Sequence, residues 1–355
     1  MRIALVSPYS LSIPGGVQGQ VVGLAHALRS LGHHADVIAP GDAGDAMPDA
    51  IGAGRTFNVR VNGSVAALAL QPAAVARTRR ALRDGGYDVV HLHEPLAPSI
   101  TLAALADHTF PTVGTFHAAG HRTPYRWAEV PLRHIAQRLD ARAAVSGPAA
   151  CLAQRHLGGR YTIIGNGIDV HEYRTGQRLP IDRPTVLFIG RHEARKGLSV
   201  LLEAVQYFGA DLTVWVAGEG PETHRLRRRY GADKRIQWLG PIDDAEKRSR
   251  LRSATVLCAP ALGGESFGMV VLEAMAADTP VVASDIEGYR VPTNDGHAAV
   301  LVPPGQPRQL ADALRLVVSD HSTREGLRLA GAAQAQMHSM RTVAERYVEL
   351  YTTVR

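Results

Sequence analysis

The sequence predicts an α/β protein built of two Rossmann-like, doubly wound domains, and three observations carry that expectation. The chain has 355 residues, about twice a typical domain of roughly 150. Apolar strand-like runs alternate with helix-period segments through its first half. The same alternation then restarts beyond a polar stretch that ends at Pro184. In the first half the runs are Ile3–Ser7, Ala35–Ala39, Val89–Leu92, Thr112–Phe116 and Ala141–Val145. A helix over Val17–Leu31 follows the first of them, with Val21, Leu24, Ala25, Leu28 and Leu31 at the 3.6-residue period and Gly32 at the C-cap position. In the second half the runs are Val186–Ile189, Leu212–Ala217, Ile236–Leu239, Val256–Cys258 and Val281–Ala283. The expected division is an N-terminal domain over residues 1–168, a C-terminal domain over 169–338, and a last helix over 339–355. Val343, Tyr347, Leu350 and Tyr351 give that helix an apolar stripe which can pack on either half, a return to the N-terminal domain included.

Composition excludes disorder and fibre: 45% of residues are hydrophobic and 20% charged. The two cysteines, Cys151 and Cys258, cannot make a disulfide framework, and both read as small buried apolar residues in a reducing interior. Nowhere do eighteen apolar residues run together, so a cytoplasmic chain that does not span a membrane is expected. The net charge is +6, carried almost wholly by arginine, since lysine occurs only at positions 196, 234 and 247. Such a balance fits a phosphorylated substrate, an anionic membrane or nucleic acid. No helix-turn-helix, zinc-finger or aromatic stacking motif supports nucleic acid, and aromatics make up 5% of residues.

The candidate chemistry lies in three segments. After the first strand, Gly15 and Gly16 open a helix and leave backbone N–H groups free to approach an anion. The Gly-x-Gly-x-x-Gly fingerprint of dinucleotide enzymes is absent, and Ala39-Pro40 stands where such an enzyme carries an acidic residue. In the second half, Arg191, Arg195 and Lys196 follow a strand, where open α/β sheets bind ligands and where cations neutralise a diphosphate. Gly263 to Ala276 then sets Glu265 before a helix and Glu273 on it, between Leu272 and Ala274. A glutamate in such surroundings needs a partner. Backbone N–H groups around Ser266, Phe267 and Gly268 offer a second anion site.

Glu265 to Glu273 resembles the Glu-x7-Glu segment of retaining glycosyltransferases of the glycosyltransferase 4 type, and Gly190-Arg191 to Lys196-Gly197 looks like their diphosphate loop. The likeness implies the GT-B fold, two Rossmann-like domains facing each other across a cleft. More narrowly, Pro8-Tyr9-Ser10, Pro14 to Gln18, Asn62 to Ala66, His91-Leu92-His93-Glu94-Pro95, Thr115-Phe116-His117 and Gly263 to Gly268 resemble the phosphatidylinositol α-mannosyltransferases of actinobacteria. That resemblance implies transfer of mannose from GDP-mannose to the inositol ring of a membrane lipid. It gives Glu265 the sugar hydroxyls, Glu273 the ribose, Arg191 and Lys196 the diphosphate, Gly16 a phosphate and His117 the transferred sugar. Tyr9, Gln18 and Asn62 would line the acceptor pocket. No Asp-x-Asp occurs, so these cations are expected to replace a metal, and no cofactor is expected. Leu68 and Ala118 depart from the mannosyltransferases, which carry polar residues at the matching positions.

The alternatives are another nucleotide sugar, another glycolipid or a small inositol-like acceptor and, in a different enzyme class, a nucleotide-sugar 2-epimerase of the same fold. His91 and His93 share a strand face but lack a third metal ligand. The helix over Ala73–Asp84 sets Arg77, Arg79, Arg80 and Arg83 on one side, with Val75, Thr78 and Leu82 on the other. That side is either solvated surface or the contact of a peripheral protein with the anionic inner face of the cell membrane.

Overall fold

A computed structural model describes residues 1–13, 15–41, 47–61, 64–107, 109–118 and 129–355. Its chain forms two units, one of Met1–Gly167 with Met340–Arg355, the other of Ile168–Ser339.

In the first unit a seven-stranded sheet runs in the order β3-β2-β1-β6-β7-β8-β9. Its strands are β1 (Arg2–Val6), β2 (His34–Ala39), β3 (Ile51–Gly52), β6 (Val89–His93), β7 (Thr112–Phe116), β8 (Ala141–Ala144) and β9 (Thr162–Ile163). Two further strands, β4 (Phe57–Val61) and β5 (Ser64–Leu68), form a separate antiparallel hairpin. The pairs of the large sheet are parallel, so crossover helices cover both faces and the strands read as unbroken apolar runs. Alternation along β1 sends Ala4 and Val6 into one core and Ile3 and Leu5 into the other. Helix Gly16–Ser30 packs Val21, Leu24, Ala25 and Leu28 into the second core, and Gly32 beyond it holds φ +84°. The last helix, Met340–Thr352, joins that core through Val343, Ala344, Tyr347 and Tyr351.

The second unit holds six parallel strands in the order β12-β11-β10-β13-β14-β15. They are β10 (Thr185–Ile189), β11 (Thr213–Ala217), β12 (Ile236–Gly240), β13 (Val256–Ala259), β14 (Val281–Ser284) and β15 (Val300–Val302). Val186 and Phe188 face one core, and Leu187 the other. In each sheet the order reverses once, beside β1 and β6 in the first unit and beside β10 and β13 in the second. Ligands of open α/β sheets bind outside the carboxyl ends of the strands at such reversals.

Two expectations need correction. Cys258 is buried in β13, but Cys151 is exposed on helix Gly147–Leu157, because its position falls on that helix's solvent side. The arginines of helix Pro72–Gly85 are not equivalent either. Ala74, Thr78 and Leu82 form its buried stripe, and Arg79 is half-buried beside Asp107 of the next helix at 3.5 Å. Arg77, Arg80 and Arg83 remain exposed.

Candidate active site

Each reversal point carries a cluster of functional side chains. In the second unit, the loop after β10 brings four charged residues up against Glu265 from the loop after β13. Glu265 Oε1 accepts from Arg195 Nη1 at 2.7 Å and from Lys196 Nζ at 2.8 Å. Glu193 bridges onward, its carboxylate meeting Arg195 Nε at 2.8 Å and Arg191 Nε at 3.2 Å. Three cations face two carboxylates, and the excess of positive charge suits a polyanionic ligand. Gly197 makes the loop possible: it sits at φ +69°, and a Cβ there would fall 1.8 Å from the carbonyl oxygen of Pro260.

Glu273 lies one helical stretch further on, in helix Met269–Ala276, and finds its partner in Lys247, whose Nζ stands 3.2 Å away. Burial alone would lower the Lys247 pKa, but Glu273, Tyr173 and Asp244 outweigh it and hold the ammonium above its ordinary range. The Tyr173 hydroxyl also hydrogen-bonds Glu273, and burial with that carboxylate raises the phenol's pKa. Gly268 caps the helix at φ +79°, with Ser266 half-buried ahead of it. Phe267 is 2% exposed and packs edge-on against His338, so its ring anchors the loop and only its backbone is left for a ligand.

In the first unit, Tyr9 follows β1, Glu94 follows β6 and His117 follows β7. Glu94 is buried and adopts a left-handed backbone at φ +46°, a conformation glutamate seldom holds without compensation. The compensation is visible: its Oε1 accepts from the backbone N–H of both His117 and Ala118 at 2.7 Å. Burial raises the carboxyl pKa to about 6 in spite of those two donors. Burial, with Glu94 as a second cause, raises the Tyr9 phenol's pKa as well. The His117 ring is held low, at about 4, by burial, and the Asn166 side chain that hydrogen-bonds it works against that shift. Gln18, in the first turn of helix Gly16–Ser30, donates from Nε2 to the carbonyl oxygen of Ile13 at 3.0 Å and folds over the preceding turn. Gly15 caps that helix in extended backbone, and Gly16 opens it with open space where a Cβ would stand. Asn62, expected at the acceptor pocket, lies outside the described residues.

His91 and His93 do share a strand face, but their nitrogens turn to protein groups. His91 Nδ1 meets Tyr351 Oη at 2.7 Å, its Nε2 meets Thr115 Oγ1 at 2.7 Å, and His93 Nδ1 meets His117 Nε2 at 3.0 Å. Among the described residues no group of three or more His, Cys, Asp or Glu side chains is placed to hold a metal ion. Sequence reasoning missed Glu94, Glu193, Lys247 and Tyr173 as parts of these clusters. Only Glu94 carried a local signal, a carboxylate directly at the carboxyl end of an apolar strand.

Two family models divide the chain between them: residues 14–172 match Glycosyltransferase Family 4, and residues 169–334 match Glycosyl transferases group 1. Over 363 residues the chain is 40% identical to the phosphatidyl-myo-inositol mannosyltransferase of Mycobacterium leprae, covering 100% of this chain and 97% of that protein. The chain belongs to glycosyltransferase family 4. A more distant relative, the D-inositol 3-phosphate glycosyltransferase of Kribbella flavida, is 27% identical over 99% of this chain and 95% of its own length. Among solved structures, sucrose-phosphate synthase from Thermosynechococcus elongatus matches with a TM-score of 0.77 at 20% identity, over 99% of each chain. A glycosyltransferase from Rickettsia africae matches with a TM-score of 0.78 at 17% identity, over 99% of this chain and 98% of its own. The fold is GT-B. In this glycosyltransferase the charged cluster around Glu265 and the buried cluster around His117 stand at the carboxyl ends of the central strands, where open α/β sheets bind ligands.

Proposed function

We propose that this glycosyltransferase moves mannose from GDP-mannose to the inositol ring of phosphatidylinositol, with retention of configuration at the transferred carbon. The observation that carries the reading is the full-length likeness, at 40% identity, to a protein named for transfer of mannose to phosphatidyl-myo-inositol. Chemistry at the second unit's edge supports it. A glycosyl transition state gains positive charge on the sugar while negative charge grows on the leaving diphosphate. Arg191, Arg195 and Lys196 supply the compensating charge for the diphosphate. Glu265 binds the sugar hydroxyls, and Glu273, steadied by Lys247 and Tyr173, accepts from the ribose. The backbone N–H groups at Ser266, Phe267 and Gly268 and at Gly16 are further anion donors. Tyr9, Gln18 and Asn62 serve the acceptor, and His117 serves the transferred sugar.

In this reading the three cations also replace a metal, so transfer survives EDTA. Loss of activity in EDTA, restored by magnesium or manganese, overturns that part. Among the described residues no helix is long and apolar enough to cross a membrane. In this reading the enzyme meets its lipid acceptor as a peripheral protein on an anionic surface.

A second reading has specific support. Leu68 is buried in β5 and Ala118 ends in a methyl group, both where polar residues were expected on the acceptor side. A soluble inositol-like acceptor therefore competes with the lipid. The deciding experiment incubates the protein with labelled GDP-mannose, UDP-glucose and UDP-N-acetylglucosamine, each with phosphatidylinositol vesicles or with free inositol phosphates. Label from GDP-mannose entering the lipid supports the first reading, and label entering only the soluble acceptor supports the second. Sugar released with no acceptor labelled points to a hydrolysing epimerase.

A further inference from the structure

The geometry points to His93 as the positioning residue that locks His117 in one neutral tautomer, so that His117 serves glycosyl transfer by placement and not by proton transfer. The inference rests on the reading of His117 as the residue beside the transferred sugar. His93 is the last residue of β6 and is 1% exposed, so it acts from beneath His117 and not from the surface. Parallel pairing sets it opposite Thr115 of β7, and the chain two residues on brings the His117 ring over it. The two rings stack with centroids 5.2 Å apart and planes 23° apart, and His93 Nδ1 lies 3.0 Å from His117 Nε2.

The proton in that contact can be assigned. His93 Nε2 is buried and has no hydrogen-bond partner among the described residues. A neutral imidazole carries one N–H. Placed on Nε2, that proton would have no protein acceptor among the described residues, whereas on Nδ1 it has the His117 ring nitrogen 3.0 Å away, and a buried N–H is seldom left without a partner. The proton therefore sits on Nδ1 and is donated to His117 Nε2. Burial keeps His91, His93 and His117 all from charging, which leaves the contact neutral on both sides. With Nε2 accepting, the single proton of His117 must be on Nδ1, and its ring is engaged by Asn166 besides. Nε2 then has no free lone pair with which to take a proton from an acceptor hydroxyl or to attack the sugar.

The lock has a backing. His91 stacks on His93 at 4.3 Å, and the last helix fixes His91 through Tyr351 and fixes Thr115 through the Tyr347 hydroxyl at 2.9 Å. Glu94, next to His93, holds the same histidine by its backbone N–H. Successive residues at the end of β6 thus grip His117 by ring and by main chain.

The test uses the full-length protein in two ways. Histidine-selective ¹⁵N labelling of the wild type should show, at pH 7, His117 protonated at Nδ1 and bare at Nε2, with His93 protonated at Nδ1. A His117 proton on Nε2 overturns the inference without any variant. In the transfer assay, His93→Phe should lower kcat about 100-fold, the scale of a misplaced catalytic-site group, with the donor KM changed less than about 3-fold. His93→Asn, whose amide N–H replaces Nδ1–H, should recover most of the loss and keep the His117 nitrogen shifts near wild type. Wild-type kcat in a folded His93→Phe protein, or no recovery in a folded His93→Asn protein, overturns it. If the wild type labels no acceptor from any nucleotide sugar, the functional reading fails by itself, and the nitrogen shifts still decide the His93–His117 assignment.

Discussion

Lys196 Nζ lies 2.8 Å from Glu265 Oε1, and Arg195 reaches the same oxygen. The carboxylate assigned to the sugar is therefore also the counter-charge of two cations beside the diphosphate assignment. The pair is mostly shielded, with side-chain exposures of 21% and 10%, so its charges are poorly screened. Glu265→Gln keeps the shape and removes the charge. Transfer should fall about 100-fold in kcat, the scale on which removing one preorganised polar group weakens the hold on a transition state. GDP binding should hold or strengthen, because the cluster becomes more positive. Steady-state kinetics with titration calorimetry on GDP separates the two effects, and an unchanged kcat sinks the assignment of Glu265.

The position of Glu265 depends on a residue without a side chain. Gly288, in the first turn of helix Glu287–Thr293, passes so close to Glu265 that a Cβ would stand 2.1 Å from its carbonyl oxygen. Gly288→Ala must push the Glu265 loop aside. A displacement of about 1 Å at a catalytic group can lower transfer about 100-fold, while overpacking destabilises the fold by about 1–3 kcal/mol. Activity and urea denaturation on the same preparation test this. Wild-type turnover in a folded Gly288→Ala protein would show that the enzyme tolerates movement of the loop.

Much of the fold is legible because interior parallel strands are apolar on both faces. Ile3 to Val6 and Val186 to Ile189 announce themselves in this way, and the period of helix Gly16–Ser30 does the same. Short edge strands do not: Ile51–Gly52, Thr162–Ile163 and Val300–Val302 are two or three residues long and partly exposed, so no run or alternation marks them. At the site, Glu265 and Glu273 stand out as carboxylates in apolar company. Their pairings do not, since Arg195 and Lys247 lie 70 and 26 residues away in sequence and meet them only through the sheet. Nor does anything local tell that Glu94 is strained, or that its carboxylate serves two amides more than twenty residues further along the chain.

The buried titratable cluster predicts a loss of stability in mild acid. Burial holds His91 at about 3, His117 at about 4 and His93 well below its usual value. Below about pH 6.5 the unfolded chain binds protons that the folded chain refuses, so stability falls as pH falls through that window. Glu94 acts oppositely, since its carboxyl, raised to about 6, favours the folded state more as pH drops from 6 towards 4.5. Three histidines outweigh one glutamate, each group contributing up to ~1.4 kcal/mol per pH unit. The net loss from pH 7 to pH 5 should be a few kcal/mol, read as a lower urea midpoint. Equal midpoints at the two pH values would show that these histidines are not excluded from charging.

Attachment to an anionic membrane should depend on three of the four arginines of helix Pro72–Gly85. Arg79 is half-buried and faces Asp107, so its charge is already matched. Arg77 and Arg83 are exposed, and so is Arg80, which pairs with the equally exposed Asp84 at 3.4 Å. An exposed pair of that kind is worth little and gives way readily to lipid phosphate. Each cation near an anionic leaflet contributes about 1 kcal/mol, so three give weak, reversible, salt-sensitive binding. The helix belongs to the same unit as Tyr9 and Gln18, the residues proposed for the acceptor, so docking it would bring that unit to the headgroups. Flotation with phosphatidylinositol or phosphatidylglycerol vesicles should therefore show wild type bound at low salt and released at high salt. A protein with Arg77, Arg80 and Arg83 changed to serine should stay unbound, whereas Arg79→Ser alone should bind as wild type does. Equal binding by wild type and the triple variant would remove this helix from the contact. Failure of the wild type to float at any salt would favour the soluble acceptor.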